Sequence, residues 1–279
     1  MKIGFWQLER GHGSSTANMI ALATYIAETT KIRSVLMQSH FNANNLMQSF
    51  YVNKKQGSSE SIGEPGIDEL MRLISSKKAN TDEVASTVHT FNAGKIGILY
   101  ETFRNNKNLY YEDFLRYHKE VSNAFEGRVD LTFIDIEGGH GRLSKLLRKD
   151  CDYIVYNLSQ EKLLIDTLLT EVDIDYSKSI FIMGNYDDRN LISLKNVRRM
   201  YPQLNEKNSF VVPNCVQFSN AINDTRVIRF MNSIVTDDSI FGVKTKKFKR
   251  LAHSDDLAGF IGNIDVISKA LLNLTGMNC

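Results

Sequence analysis

Proline is nearly missing from this chain: three in 279 residues, at Pro65, Pro202 and Pro213. No low-complexity tract and no internal repeat accompanies them, so linkers and disordered arms are not expected, and residues 1–279 read as a single folded domain. Cysteine is as scarce. Cys151, Cys215 and Cys279 are odd in number, far apart and in no metal-ligand spacing, which argues against a disulfide framework or a thiolate zinc site and suits a reducing, cytoplasmic setting. There is little excess charge of either sign. Lys and Arg total 34 against 32 Asp and Glu, a net of +2, so the chain as a whole has no polyanion-binding signature. No apolar run is read as long enough to span a membrane. The start, Met1-Lys2, runs through a short apolar stretch straight into charge, unlike a secretory leader.

What is present is a 42% hydrophobic content, enough for a large core, and a first segment with clear organisation. Ile3-Gly4-Phe5-Trp6 reads as a strand, Glu9-Arg10-Gly11-His12-Gly13-Ser14-Ser15-Thr16 as a bend, and Thr16 to Glu28 as a helix with Met19, Ile20, Leu22, Ala23 and Ile26 at helical spacing. Glycines permit positive φ and close backbone approach. A helix N-terminus points unpaired N–H groups and its dipole at the bend, whose natural occupant is a phosphate. Ser14, Ser15 and Thr16 add hydroxyls that can cap the helix or approach a phosphate or its Mg²⁺. By itself the pattern is a weak signal, since the phosphate loop of nucleotide hydrolases requires G-x-x-x-x-G-K-[ST] and this bend has no lysine. An ordinary strand-to-helix turn is the plain alternative.

A second stretch changes the balance. Asp130 to Gly141 (D-L-T-F-I-D-I-E-G-G-H-G) is an apolar run ending in a carboxylate and glycines. Such a strand places Asp135 at its carboxyl end, where a Walker B aspartate faces metal and phosphates. Alone, Asp135 reads as a turn cap; paired with the Gly11 to Thr16 bend, Ser15 and Asp135 become candidate Mg²⁺ ligands. Glu137 is a further carboxylate nearby, and His140 reads as solvated.

The remaining elements alternate. Strands are expected at Ser34 to Gln38, Ile96 to Tyr100, Cys151 to Leu158, Ser179 to Tyr186 and Phe210 to Asn214. Helices are expected at Ile67 to Ile74, Thr81 to Phe91, Tyr110 to Phe125 and Gln160 to Leu169, with Asp68 and Asp82 complementing the dipoles of two of them. The aromatic stripe Tyr110, Phe114, Tyr117, Phe125 reads as core. Residues 53–66 form a polar Gly/Ser-rich loop. This order implies an α/β fold: a mostly parallel, doubly wound sheet with helices on both faces, like that of P-loop NTPases. The only concentrated basic run, residues 242–250 with five cations, could contact nucleic acid or anionic lipid through 244–250, though a solvated segment is the plainer reading. The apolar tail from Leu257 to Leu274 could lie on a membrane, but without a basic polar face it is expected to dock on the body.

Residues 3–28 resemble the opening of the MinD/ParA family, whose deviant phosphate loop reads K-G-G-x-G-K-[ST]-T, and the likeness extends in degenerate form over nearly the whole chain. In this alignment Glu9 takes the place of the signature lysine that reaches across the dimer, with Arg10 as a shifted substitute, and Ser14 takes the place of the phosphate-cradling lysine. The second strand should end in an aspartate; Gln38-Ser39-His40-Phe41-Asn42 has no carboxylate, and Ser39 or Asn42 can only hydrogen-bond a water. The resemblance further implies that Asn185 reads the adenine edge, an amide suiting a base that both donates and accepts, and that Pro213 packs on the adenine. Ordinary turn chemistry is the alternative at both positions.

The resemblance therefore implies a nucleotide site (Arg10, Gly11, His12, Gly13, Ser14, Ser15, Thr16, Asn185, Pro213) for ATP or ADP with Mg²⁺, and weak or absent hydrolysis, because phosphoryl transfer depends on the missing charges. The expected role is a homodimerising positioning or assembly scaffold. It would work with a further protein partner in a pilus or secretion machine, in the manner of the atypical TadZ/CpaE branch, in the cytoplasm and recruited to membrane or cell pole. The alternatives are a partition ATPase that binds DNA nonspecifically, with Arg10 or Lys2 compensating, and a nucleotide-free interaction module.

Overall fold

The computed structural model describes residues 1–41, 45–50, 66–236 and 254–277. The polar loop up to residue 65, the basic run 242–250, Asn42 and Cys279 lie outside the described residues.

Eight strands form one sheet: β1 (Lys2–Gln7), β2 (Ser34–Gln38), β3 (His89–Phe91), β4 (Ile96–Ile98), β5 (Leu131–Asp135), β6 (Tyr153–Leu158), β7 (Ser179–Tyr186) and β8 (Ser209–Pro213). Their spatial order is β3-β4-β2-β5-β1-β6-β7-β8. Every pairing is parallel except that of β3 with β4. Parallel strands covered on both faces must be apolar throughout. In β1 and β5 this shows as alternation into two cores: Ile3, Phe5, Leu131 and Phe133 face one side, while Trp6 and Ile134 face the other.

The first core is covered by α1 (Ser15–Thr29), α2 (Asn45–Phe50), α9 (Val216–Asn223), α10 (Val227–Val235) and α11 (Ser254–Leu274). The second is covered by α3 (Ile67–Ser75), α4 (Thr81–Ala85), α5 (Lys107–Asn123), α6 (Arg142–Asp150), α7 (Lys162–Glu171) and α8 (Leu194–Met200). This is the doubly wound α/β sheet expected from the sequence. The aromatic stripe of α5 is core, with Tyr110 and Phe114 fully buried.

Two expectations are corrected. Thr81 to Phe91 is not one helix: α4 stops at Ala85 and His89–Phe91 is the antiparallel edge strand β3. The spacing of Val84, Val88 and Phe91 fits a helix, but Asn92, Ala93 and Gly94 all adopt positive φ, making a tight turn that returns the chain as β4. The tail also contains a window, Leu257–Leu274, long and apolar enough by length and composition to cross a membrane. In the fold its apolar side is core: Phe260, Ile261, Ile264, Ile267, Leu271 and Leu272 are buried, and Tyr25 of α1 donates to Asp265 at 2.9 Å.

Ligands in such sheets bind beyond the carboxyl ends of the strands where the order reverses. Here that point lies where β1 sits between β5 and β6, and the bend into α1 occupies it.

Candidate functional site

The bend between β1 and α1 is fixed by backbone contacts that exclude a side chain. A Cβ on Gly13 would come within 2.7 Å of the Asn157 carbonyl oxygen, and one on Gly184 within 2.4 Å of the Gly13 carbonyl oxygen. Ends of β6 and β7 are thereby pressed onto the loop. Asn18 locks the arrangement, donating from Nδ2 to the Gly13 carbonyl at 3.2 Å and to Asn157 Oδ1 at 2.8 Å. Asn157 Nδ2 donates to the Trp6 carbonyl and to Ser15 Oγ.

Ser14, at the N-cap of α1, is in the left-handed region (φ 55°, ψ 34°) and its side chain caps nothing. The N–H groups left open at the helix start find another partner. Gln7, the last residue of β1, places its Oε1 where it accepts from the Gly13 and Ser15 N–H groups at 3.0 and 3.4 Å. A carboxamide oxygen thus occupies the nest that a phosphate oxygen would use, and Gln7 must turn aside for a phosphate to enter.

Asp135, 1% exposed at the end of β5, is the hub of the site. Ser15 Oγ donates to its Oδ1 at 3.0 Å and Thr16 Oγ1 to its Oδ2 at 2.5 Å. His40, just past β2 and 6% exposed, brings Nε2 to 3.3 Å from Oδ2. Its geometry falls outside that of a formed hydrogen bond, and Nδ1 has no partner among the described residues. Burial pushes the His40 imidazole pKa down, but the Asp135 carboxylate, with Glu137 behind it, outweighs this and holds it above the ordinary value, against the opposing charge of Arg10. Ser39 is tied up: its N–H donates to the Asp135 carbonyl at 2.9 Å and its hydroxyl accepts from the Glu137 N–H at 2.8 Å. Glu137 in turn accepts from the Tyr111 hydroxyl at 2.7 Å. Burial, then Glu137, pushes that phenol well above its usual range.

These groups border a cleft of about 230 Å³ lined by Arg10, Gly11, Ser14, Ser15, Thr16 and His40, together with Gln7 and Gln38. Arg10 is the one permanent cation among its described lining residues. Lys2 is no substitute, since it stands at the opposite end of β1 with Nζ bonded to Asn123. His12 faces away from this cleft: its Nδ1 lies 2.7 Å from Glu161 Oε1 and its Nε2 3.9 Å from Glu9, and the bond to Glu161 raises its pKa. Asn185 is next to last in β7 and Pro213 last in its neighbour β8, with Tyr186 opposite Pro213. Asn185 is exposed, adopts φ 48°, and its amide makes no hydrogen bond among the described residues. His140 is exposed, 3.6 Å from Glu171.

The expected metal pair, Ser15 and Asp135, does meet. What does not fit Mg²⁺, which takes water and phosphate oxygens besides one or two protein ligands, is the His40 ring standing 3.3 Å from Asp135 Oδ2. Among the described residues no carboxylate lines the cleft itself. Asp135 sits behind the Ser15 and Thr16 hydroxyls, and its Oδ2 is covered by Thr16 and the His40 ring. No group of three or more His, Cys, Asp or Glu suited to a metal occurs among the described residues. Gln7, Asn18, Asn157 and His40 were missed by sequence reasoning. The only available signal was polar residues closing otherwise apolar strands, at Gln7 after Trp6 and His40 after Met37.

No family model and no curated protein matches the chain. Solved structures do. The ATP complex of an alanine variant of Cyanothece McdA superposes with TM-score 0.62 at 12% identity, covering 100% of this chain and 98% of that one. The cell division ATPase MinD of Pyrococcus furiosus gives 0.61 at 11%, covering 95% and 98%. The fold is that of ParA- and MinD-type ATPases. A putative plasmid partition protein of Borrelia burgdorferi, bound to AMPPNP, gives 0.58 at 11%, covering 98% and 97%. At such identities the ParA/MinD likeness is one of fold, and the chemistry must be argued from this chain's own residues.

Proposed function

We propose that this ParA/MinD-like chain binds an adenine nucleotide without turning it over and uses the bound state to hold an assembly in place. The phosphates would enter at the start of α1 beside Arg10, and the base would lie against Asn185 and Pro213. The observation that carries this reading is the state of Asp135: a buried carboxylate held by Ser15, Thr16 and His40 behind a cleft with no lysine among its described lining residues. Transfer of a phosphoryl group needs preorganised positive charge where negative charge develops. Arg10 alone can help bind a polyphosphate, but Ser14, standing where a lysine would serve, offers no cradle, and His40, standing at the strand end where a carboxylate would serve, is turned onto Asp135.

A homodimer formed over the cleft and a further protein partner, in a pilus or secretion machine as in the TadZ/CpaE branch, complete the proposal. Its support is the resemblance and the fold. Melting temperature with ATP and with ADP, read beside phosphate release, tests it. A ligand of the folded state raises the midpoint by mass action. An ATP-dependent rise without phosphate release is expected. A rise with release would favour the partition ATPase, and no rise at millimolar nucleotide would leave an empty-site interaction module.

A further inference from the structure

Building on the nucleotide reading, we propose that the site takes its polyphosphate free of metal, with His40 occupying the position a divalent cation would need. Three observations converge. Asp135 is buried and its oxygens already have protein partners: Ser15 Oγ on Oδ1, Thr16 Oγ1 on Oδ2, and the His40 ring 3.3 Å from Oδ2. A buried carboxylate in this state needs no cation to offset its desolvation, and a metal ligated directly at Oδ2 would have to displace both the Thr16 hydroxyl and the imidazole.

The backbone that carries the imidazole is fixed. Neighbouring Ser39 is held by its N–H on the Asp135 carbonyl at 2.9 Å, by the Glu137 N–H on its hydroxyl at 2.8 Å, and by the Tyr110 hydroxyl on its carbonyl at 3.3 Å. This three-point attachment fixes the end of β2 and aims His40 at the cleft. Finally, His40 is buried yet lines the cleft, and its Nδ1 has no partner among the described residues. A nitrogen in that position is costly unless something completes it. The arrangement suits a nucleoside di- or triphosphate carrying its full negative charge, met by Arg10, the α1 N-terminus and the Ser and Thr hydroxyls, better than a metal complex, which would need oxygen or water where the His40 ring stands.

Calorimetric titration of the full chain with ATP tests this, once in excess EDTA and once in millimolar Mg²⁺, with melting temperature as a second readout. Wild-type affinity in EDTA should equal or exceed that in Mg²⁺. His40→Asp should reverse the preference, binding about tenfold more weakly in EDTA and recovering with Mg²⁺. Should His40→Asp fail to fold beside Asp135, His40→Gln serves: it keeps a donor near Oδ2 and should lose affinity in EDTA. Wild-type binding that requires Mg²⁺ would overturn the metal-free proposal and leave the nucleotide reading standing. Absence of binding in both buffers would overturn both.

Discussion

The loop after β1 and the end of β7 are built on opposite terms. At the α1 end Gln7, Asn18, Asn157, Asp135 and His40 close upon one another, so that the loop nest and the carboxylate are occupied from within. Two strands away, Asn185, next to last in β7, has an exposed amide bonded to no described residue. At the loop, the nest and the carboxylate are met from within, while the Asn185 amide is open. That contrast is what the proposed holding of a nucleotide without cleavage requires.

Breaking the closed end at its hub should give the largest effect. Asp135→Ala leaves the Ser15 and Thr16 hydroxyls without their acceptor and a buried imidazole without its counter-charge, and should cost about 3–5 kcal/mol in denaturant unfolding. A loss below about 1 kcal/mol would show that the network contributes little.

Glu101 sharpens the comparison, being also a carboxylate 1% exposed but with neither oxygen in a formed hydrogen bond among the described residues. Burial pushes its pKa up to about 7, with the nearby Glu101 and Met47 backbone groups offsetting only part of the shift. The folded state therefore holds this proton to higher pH than the unfolded chain does. The cost of ionisation is absent below the unfolded value near 4.5, grows through the window to about 7, and is full above it. Glu101→Gln should be more stable than the parent by on the order of 3 kcal/mol at about pH 8, with the difference gone at about pH 4. Equal stability at the higher pH would contradict the assignment.

Gln7→Ala opens the nest. Loss of two hydrogen bonds should lower ligand-free stability by about 1–2 kcal/mol, while pyrophosphate, no longer competing with the carboxamide, should bind about fivefold more tightly by calorimetry. Weaker pyrophosphate binding would mean that Gln7 assists the anion instead of standing in its place. Smallest in structural terms is Asn185→Gly, which keeps the left-handed backbone without strain and removes only the amide. ATP should bind about tenfold more weakly and pyrophosphate unchanged; equal losses for both ligands would place Asn185 outside the base site.

Most of the fold could be read in the sequence because parallel strands buried on both faces must be apolar along their length, as Ile3 to Trp6 and Leu131 to Ile134 are. The edge was harder: Val84, Val88 and Phe91 suit the helical period, and the turn at 92–94 overrides it. At the site, Ser15 and Asp135 were legible as a pair from loop and strand order. The roles of Gln7 and His40 were not, because each depends on which side chain from a distant strand end fills a vacancy left by a missing lysine or carboxylate. Spacing along the chain carries no record of that. His12 illustrates the converse: it belongs to the loop by sequence, yet Glu161 of the β6–α7 connection draws it out of the cleft.

The most direct test of the account is to identify the nucleotide the protein retains. Protein incubated with radiolabelled ATP, freed of excess ligand and then denatured should release intact ATP after hours at room temperature. Recovery of ADP with free phosphate, or of no nucleotide at all, would contradict the account.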